Sequence, residues 1–341
     1  MPRLTSTAHA SVAPPSVDPP SVDPPAPPTV ASASEPQRPP HAADPPDVER
    51  RRADREFATN VRSRLISAAI LIAAIVTVVW FGGWVAFGAA VVVLALCFWE
   101  LHGMFAHAEW NPALWLSFLL GLDFLVAAML PAYRWPLLGL GISALIIGAF
   151  AWLMVTRKGT LERTLTDWAL TMATPFYVGW PIAFFLLIRG MDPTYRLTSG
   201  QANPGFWWLL TMFFTVWAFD TAAFFAGRFF GRHRLAPLIS PKKTWEGAAG
   251  GLVLALAAAV LFTLPIGIPW YHALVLGALV SVAATVGDLA ESLLKRDVDV
   301  KDSGSLISGH GGIMDRIDSL LFASMVVFFY AAFLHSIPFG P

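Results

Sequence analysis

Charge is scarce in this chain. Charged residues make up 13% of the 341 while 56% are hydrophobic and the mean hydropathy is +0.59. An average soluble domain carries about 25% charged residues, so the deficit argues against one and points to the membrane. Neither sign dominates: 23 Lys and Arg balance 23 Asp and Glu, and nothing in the net charge argues for nucleic acid as a partner. Cysteine is nearly missing. The single Cys97 lies inside an apolar run, which excludes an intrachain disulfide and a cysteine-based zinc site and leaves a small buried side chain. There is no GxxxxGK[ST] sequence, which excludes an ordinary P-loop.

What is present falls into two materials. The first ~60 residues are rich in Pro, Ala and Ser and carry the tandem repeat SVDPP-SVDPP at Ser16–Pro25. Such a segment buries too little apolar surface to offset its ordering entropy and is predicted to be a disordered tail. No apolar h-region precedes residue 65, so it does not read as a cleaved signal peptide. From Leu65 onward, apolar runs long enough to cross a ~30 Å hydrocarbon core recur. They predict nine spans: 65–83, 84–105, 113–132, 137–156, 168–188, 206–226, 248–268, 270–288 and 318–337. Residues 61–341 therefore read as an all-α, polytopic membrane helical bundle.

The basic residues set its orientation. With the N-terminus in the cytoplasm and nine alternating spans, the cytoplasmic side receives the tail arginines and the clusters at Arg157–Arg163, Arg228–Lys243 and Lys295–Arg316. The other side receives Arg134, Arg189 and Arg196, a division of 20 against 3, or 18 against 3 when the distal Arg3 and Arg38 are set aside. Two polar segments, Asp220–Glu246 and Asp288–Asp318, then interrupt the C-terminal half on the cytoplasmic side.

In the second segment, Asp288, Glu291, Ser292 and Lys295 fall at i, i+3, i+4 and i+7, one face of a helix continuing through GDLAESLLKRD. Asp315 and Asp318 share a face at the start of the last span. Carboxylates from two helix ends can converge on a hard cation such as Mg²⁺. Gly311 and Gly312 follow His310, and glycines let backbone N–H groups approach phosphate oxygens. Lys295, Arg296, Lys301 and Arg316 can neutralise a polyphosphate. The set fits metal-assisted phosphoryl or nucleotidyl transfer. The first segment adds Asp220 in an apolar context and Ser240-Pro241-Lys242-Lys243-Thr244 followed by Glu246. Basic residues near lipid head groups are equally explained as surface anchors. Asp123, alone in mid-span, is a further intramembrane acid.

The run Ser292-x-x-Lys295-Arg296, Lys301-Asp302 and His310-Gly311-Gly312-Ile313-x-Asp315-Arg316-Ile317-Asp318 resembles the signature of the phosphatidate cytidylyltransferases, or CDP-diacylglycerol synthases. SPKKTWEGAAGG at Ser240–Gly251 and GDLAES at Gly287–Ser292 resemble two further segments of that family. The resemblance is strong over about 210–335, with a catalytic half at about 206–337. Ser308 and Ala222 depart from it, standing where the family usually has Pro or Gly and Gly respectively.

The resemblance implies CTP and phosphatidic acid as substrates, CDP-diacylglycerol and pyrophosphate as products, and Mg²⁺ as cofactor with room for a second cation. Asp288, Asp315, Asp318 and Lys301 are then the candidate catalytic residues, with Asp288, Asp315, Asp220 and Asp318 as metal ligands. Ser240, Lys242, Lys243, Thr244, Ser292, Lys295, Arg296, Arg316, Gly311 and Gly312 are candidates for substrate binding. His310 would donate to a phosphate oxygen, while Asp302 and Glu246 would orient neighbouring basic groups. Membrane lipids surround such a protein, a homodimer is expected, and the site would face the cytoplasm from a bacterial inner (plasma) membrane. A CTP-dependent lipid kinase and a membrane transporter are the alternatives weighed against it.

Overall fold

The structure, a computed structural model, describes residues 70–157, 161–191, 203–301, 303–304 and 312–336. The tail, Asp302, Ser308, His310 and Gly311 lie outside the described residues.

Ten helices and one small hairpin account for the described chain. They run α1 (Ile70–Phe81), α2 (Gly83–His107), α3 (Leu114–Met129), α4 (Arg134–Thr156), α5 (Thr164–Thr174), α6 (Trp180–Arg189) and α7 (Pro204–Phe230). The hairpin β1 (Arg234–Ala236) and β2 (Ser240–Thr244) follows, then α8 (Trp245–Thr263), α9 (Trp270–Asp297) and α10 (Met314–Ser336). Helices α5 and α6 form one apolar rod, Thr164–Arg189, through a π turn at Pro175–Gly179. Pro175 has no N–H to give the preceding turn, and the ladder widens there.

Nine apolar rods thus stand at the nine expected places among the described residues. Seven are long enough to cross a membrane; α3 is shorter, and α1 is described from Ile70 onward. The chain is an all-α polytopic membrane protein apart from the hairpin. Helix α3 ends earlier than the expected 132 because Pro131 disfavours helix in the residue before it, and a 3-10 turn at Pro131–Tyr133 follows. The Asp220–Glu246 stretch is not a simple loop. Asp220 lies inside α7, and SPKKT is the strand β2, paired antiparallel with β1 so that Arg234 faces Thr244 and Ala236 faces Ser240.

The polar contacts at the helix ends sort into two sets, as alternation requires. At one end Asn111 N donates to Asp167 Oδ1 at 2.8 Å, and Asp167 also pairs with Arg157. This end holds the close of α2, α4, α7 and α9 and the start of α3, α5, α8 and α10. At the other, Arg189 donates to the carbonyls of Val79 (2.6 Å) and Trp80 (3.0 Å) and to Asn203 Oδ1 (2.9 Å). It thereby takes up carbonyls that the last turn of α1 leaves unpaired. Gly82 makes the break there with φ 59°, and a Cβ on it would meet the Arg189 guanidinium at 2.6 Å.

Two apolar clusters fill the bundle. Leu94, Cys97 and Leu101 of α2 pack with Leu120, Phe124 and Leu125 of α3 and with Val178 and Ile182. Trp208, Met212 and Val216 of α7 pack with Ala255, Leu276, Val280, Ala323 and Val327. In lipid such burial brings no gain over the hydrocarbon itself, so close approach of small residues has to hold helices together. The α7–α8 pair is built that way. Gly247 lies against the Ala223 carbonyl, Gly250 against the Ala226 methyl and Gly251 against Phe219.

Candidate active site

The site grows from α9. Asp288, Glu291, Ser292 and Lys295 share a stripe along its last turns, as their spacing dictates. Gly287 lets α9 come up to the backbone of α10; a Cβ there would strike the Asp318 carbonyl. That contact brings Asp288 beside Asp318, and Asp220 of α7 completes a cluster in which the three carboxylates repel one another. Ser292 Oγ lies 3.4 Å from Asp288 Oδ1.

Lys243 supplies the opposing charge. Its Nζ is 2.6 Å from Asp288 Oδ2, and it acts on Asp220 and Asp318 as well. The hairpin places it. Alternation along β2 leaves Lys242 exposed while Lys243 is half-buried. Thr244 then caps α8, its Oγ1 accepting from Gly247 N at 3.1 Å. Glu246 accepts from the amides of Arg232 (3.1 Å) and His233 (3.2 Å) and meets His233 Nδ1 at 2.5 Å. It thus anchors the start of the hairpin.

A second centre adjoins the first. Lys295 Nζ lies 2.5 Å from Asp315 Oδ1 and 3.4 Å from Glu291 Oε1. Asp315 Oδ2 accepts from Ser303 N (3.2 Å), Ser303 Oγ (2.9 Å) and Gly312 N (2.8 Å). Both oxygens of Asp315 are therefore engaged by the protein, and the Gly312 N–H points at Asp315 and not at open space. Glu291 is sealed from solvent. Lys301 and Arg316 are exposed at this same end, Arg296 lies beside the hairpin with Nε 3.5 Å from the Ile239 carbonyl, and Ser240 opens β2.

Two residues that the sequence reading passed over stand at the site. Glu100 of α2 accepts from Ile313 N at 2.6 Å, Met314 N at 2.9 Å and Ser303 Oγ at 3.0 Å. Tyr177 of the π turn lies near Asp288, Glu291 and Asp318, and its hydroxyl has no hydrogen-bond partner among the described residues. An acid inside an apolar run is the signal for Glu100; it singles out Asp220 and Asp123 as well, and the Asp123 carboxylate faces Gly141 of α4.

The donor set suits a hard cation in kind. Asp220, Asp288 and Asp318 offer carboxylate oxygens with Lys243 as their shared countercharge. Among the described residues no group of three or more His, Cys, Asp or Glu forms a ready metal cage. Mg²⁺ needs none, since it takes one or two carboxylates and completes its shell with water and substrate phosphates.

Residues 62–334 match the Cytidylyltransferase family. The chain belongs to that family. A phosphatidate cytidylyltransferase of Bacillus subtilis is 38% identical over 197 residues, 56% of this chain and 70% of its own. One of Synechocystis is 33% identical over 300 residues, 80% and 96% of the two chains. One of Haemophilus influenzae is 46% identical over 134 residues, 37% and 46%. The cytidylyltransferase match begins upstream of α1 and ends in α10, so it takes in Glu100 and Tyr177 together with the carboxylates of α7, α9 and α10.

Proposed function

We infer that this cytidylyltransferase joins CTP to phosphatidic acid, giving CDP-diacylglycerol and pyrophosphate for phospholipid synthesis. The observation that carries the reading is the convergence of Asp220, Asp288 and Asp318 with Lys243 and Lys295 at one end of a helical bundle, in a chain of this family. A phosphate oxygen of phosphatidate attacks the α-phosphorus of CTP, the bond from that phosphorus to the bridging oxygen breaks, and pyrophosphate leaves with the electron pair. A phosphate monoester with a second pKa of about 6 is already anionic at neutral pH. The protein then has to position two anions and offset their charge, and no nucleophilic Ser or Cys is called for.

Lys243 and Lys295, with the exposed Lys242, Arg296, Lys301 and Arg316, are the cations proposed to hold the phosphates. Asp288, with Asp318 and Asp220, would hold Mg²⁺; Asp315 could join them only by giving up contacts to Lys295, Ser303 or Gly312. Bound there, Mg²⁺ would withdraw charge from the triphosphate and favour the departure of pyrophosphate. A cytoplasmic site and a homodimer complete the proposal; the charge asymmetry supports the first and the family resemblance the second.

The test uses purified protein in micelles containing phosphatidic acid, with CTP labelled at the α or the γ phosphate, with and without Mg²⁺. Label from the α position is expected in a CDP-lipid, with pyrophosphate released only when Mg²⁺ is present. Asp288→Asn is expected to lower turnover by about 100-fold or more, in line with the loss of a group that stabilises developing charge. Label from the γ position in lipid would mean a kinase and would overturn the reading.

A further inference from the structure

Glu100 is 3% exposed, and among the described residues no lysine or arginine stands within ion-pair distance of it. A carboxylate withdrawn from water is tolerable only where donors replace the water. Its three donors are two amides at the start of α10, Ile313 N and Met314 N, and the hydroxyl of Ser303. The amides are ones that the helix itself cannot satisfy, and a negative charge there meets the positive end of the helix dipole. Glu100 does for α10 what a capping residue does, but from α2.

It also gathers both ends of the stretch from 303 to 312. Ser303 and Gly304 contact it from one side, and a Cβ on Gly304 would stand 3.0 Å from Glu100 Cγ. Gly312 contacts it from the other, where a Cβ would collide with Glu100 Oε2 and Ser303 Oγ. Ser303 Oγ and Gly312 N are also donors to Asp315. Glu100 and Asp315 thus divide one set of donors, and Asp315 carries Lys295.

We propose that Glu100 is a positioning residue for cytidylyl transfer: it fixes the start of α10, and with it Asp318 and the Asp315 that holds Lys295, against the carboxylates of α9. This rests on the reading that this end of the bundle is the reacting centre.

The test compares Glu100→Gln, Glu100→Asp and Ser303→Ala with wild type in the α-label assay, measuring kcat per folded molecule and KM for CTP and for phosphatidate separately. Glutamine keeps the volume but turns an NH₂ toward amide donors. A small displacement of reacting groups can cost about 100-fold, so kcat of Glu100→Gln should fall by about that factor with each KM changed less than about 3-fold. Glu100→Asp keeps the charge and both acceptors and should recover part of kcat. A merely structural role would lower the yield of folded protein and leave kcat per folded molecule untouched. Wild-type kcat in Glu100→Gln, or Glu100→Asp no better than Glu100→Gln, would overturn the role. Should Glu100→Gln not fold, Ser303→Ala decides, since it removes only the hydroxyl common to Glu100 and Asp315; a lowered kcat is expected, and a wild-type kcat would sink the idea. A wild-type protein that transfers no α label overturns the reading of the site, and the role with it. Transfer by wild type with an unaffected Glu100→Gln overturns the role alone.

Discussion

Lys295 touches two carboxylates, one of which, Glu291, is sealed from solvent. Replacing it by methionine would remove the cation paired with Glu291 and Asp315 and leave Glu291 buried beside Asp318 and Asp315. Breaking a buried pair in this way costs about 3–5 kcal/mol. Lys295→Met is therefore expected to lower the melting temperature in detergent sharply, and Lys295→Met/Glu291→Gln to regain much of that stability without regaining turnover. A double variant as unstable as the single would sink the assignment. The sequence showed the partners of Lys295 only in part. Glu291 and Lys295 could be paired from their spacing of four, but the link to Asp315 crosses a turn of chain whose geometry no periodicity encodes. Glu100 was harder still, because its donors lie 203 to 214 residues away.

At the scale of the element, hydropathy and turn residues located the rods well, since a span declares itself by twenty apolar residues and its end by Gly or Pro. Gly82 and Pro131 end their helices for reasons visible in the sequence. The π turn at Pro175 and the strand SPKKT were not legible. Pro175 marks where the ladder breaks, but not that the widened turn seats Gly179 against Gly121 of α3, and the strand needs a partner strand of three residues. The glycines after Glu246 bring α8 onto α7. Gly250→Leu should force the two helices apart, and overpacking of this kind costs about 1–3 kcal/mol. Thermal unfolding should register that loss while the KM for CTP stays near wild type in the folded fraction. A raised KM with unchanged stability would refute the packing role.

Among the described residues the chain alternates nine rods, and the polar contacts at the helix ends fall into two sets. The charge asymmetry supports the proposed cytoplasmic placement of the end bearing the carboxylates, and labelling tests it. In a Cys97→Ser background, a thiol introduced by Leu238→Cys at the exposed tip of the hairpin should react with an impermeant maleimide in inside-out vesicles. One introduced by Trp135→Cys, at the start of α4, should react only in right-side-out vesicles. The reverse pattern would refute the orientation. The short helix α3 has a consequence at this scale. Its 16 residues rise about 24 Å, some 6 Å less than the hydrocarbon it must match. Lipid that thins to meet that length does so at a cost of fractions of a kcal/mol per Å. A dimple in the bilayer along that flank is the expected result, and a thicker membrane would press against it.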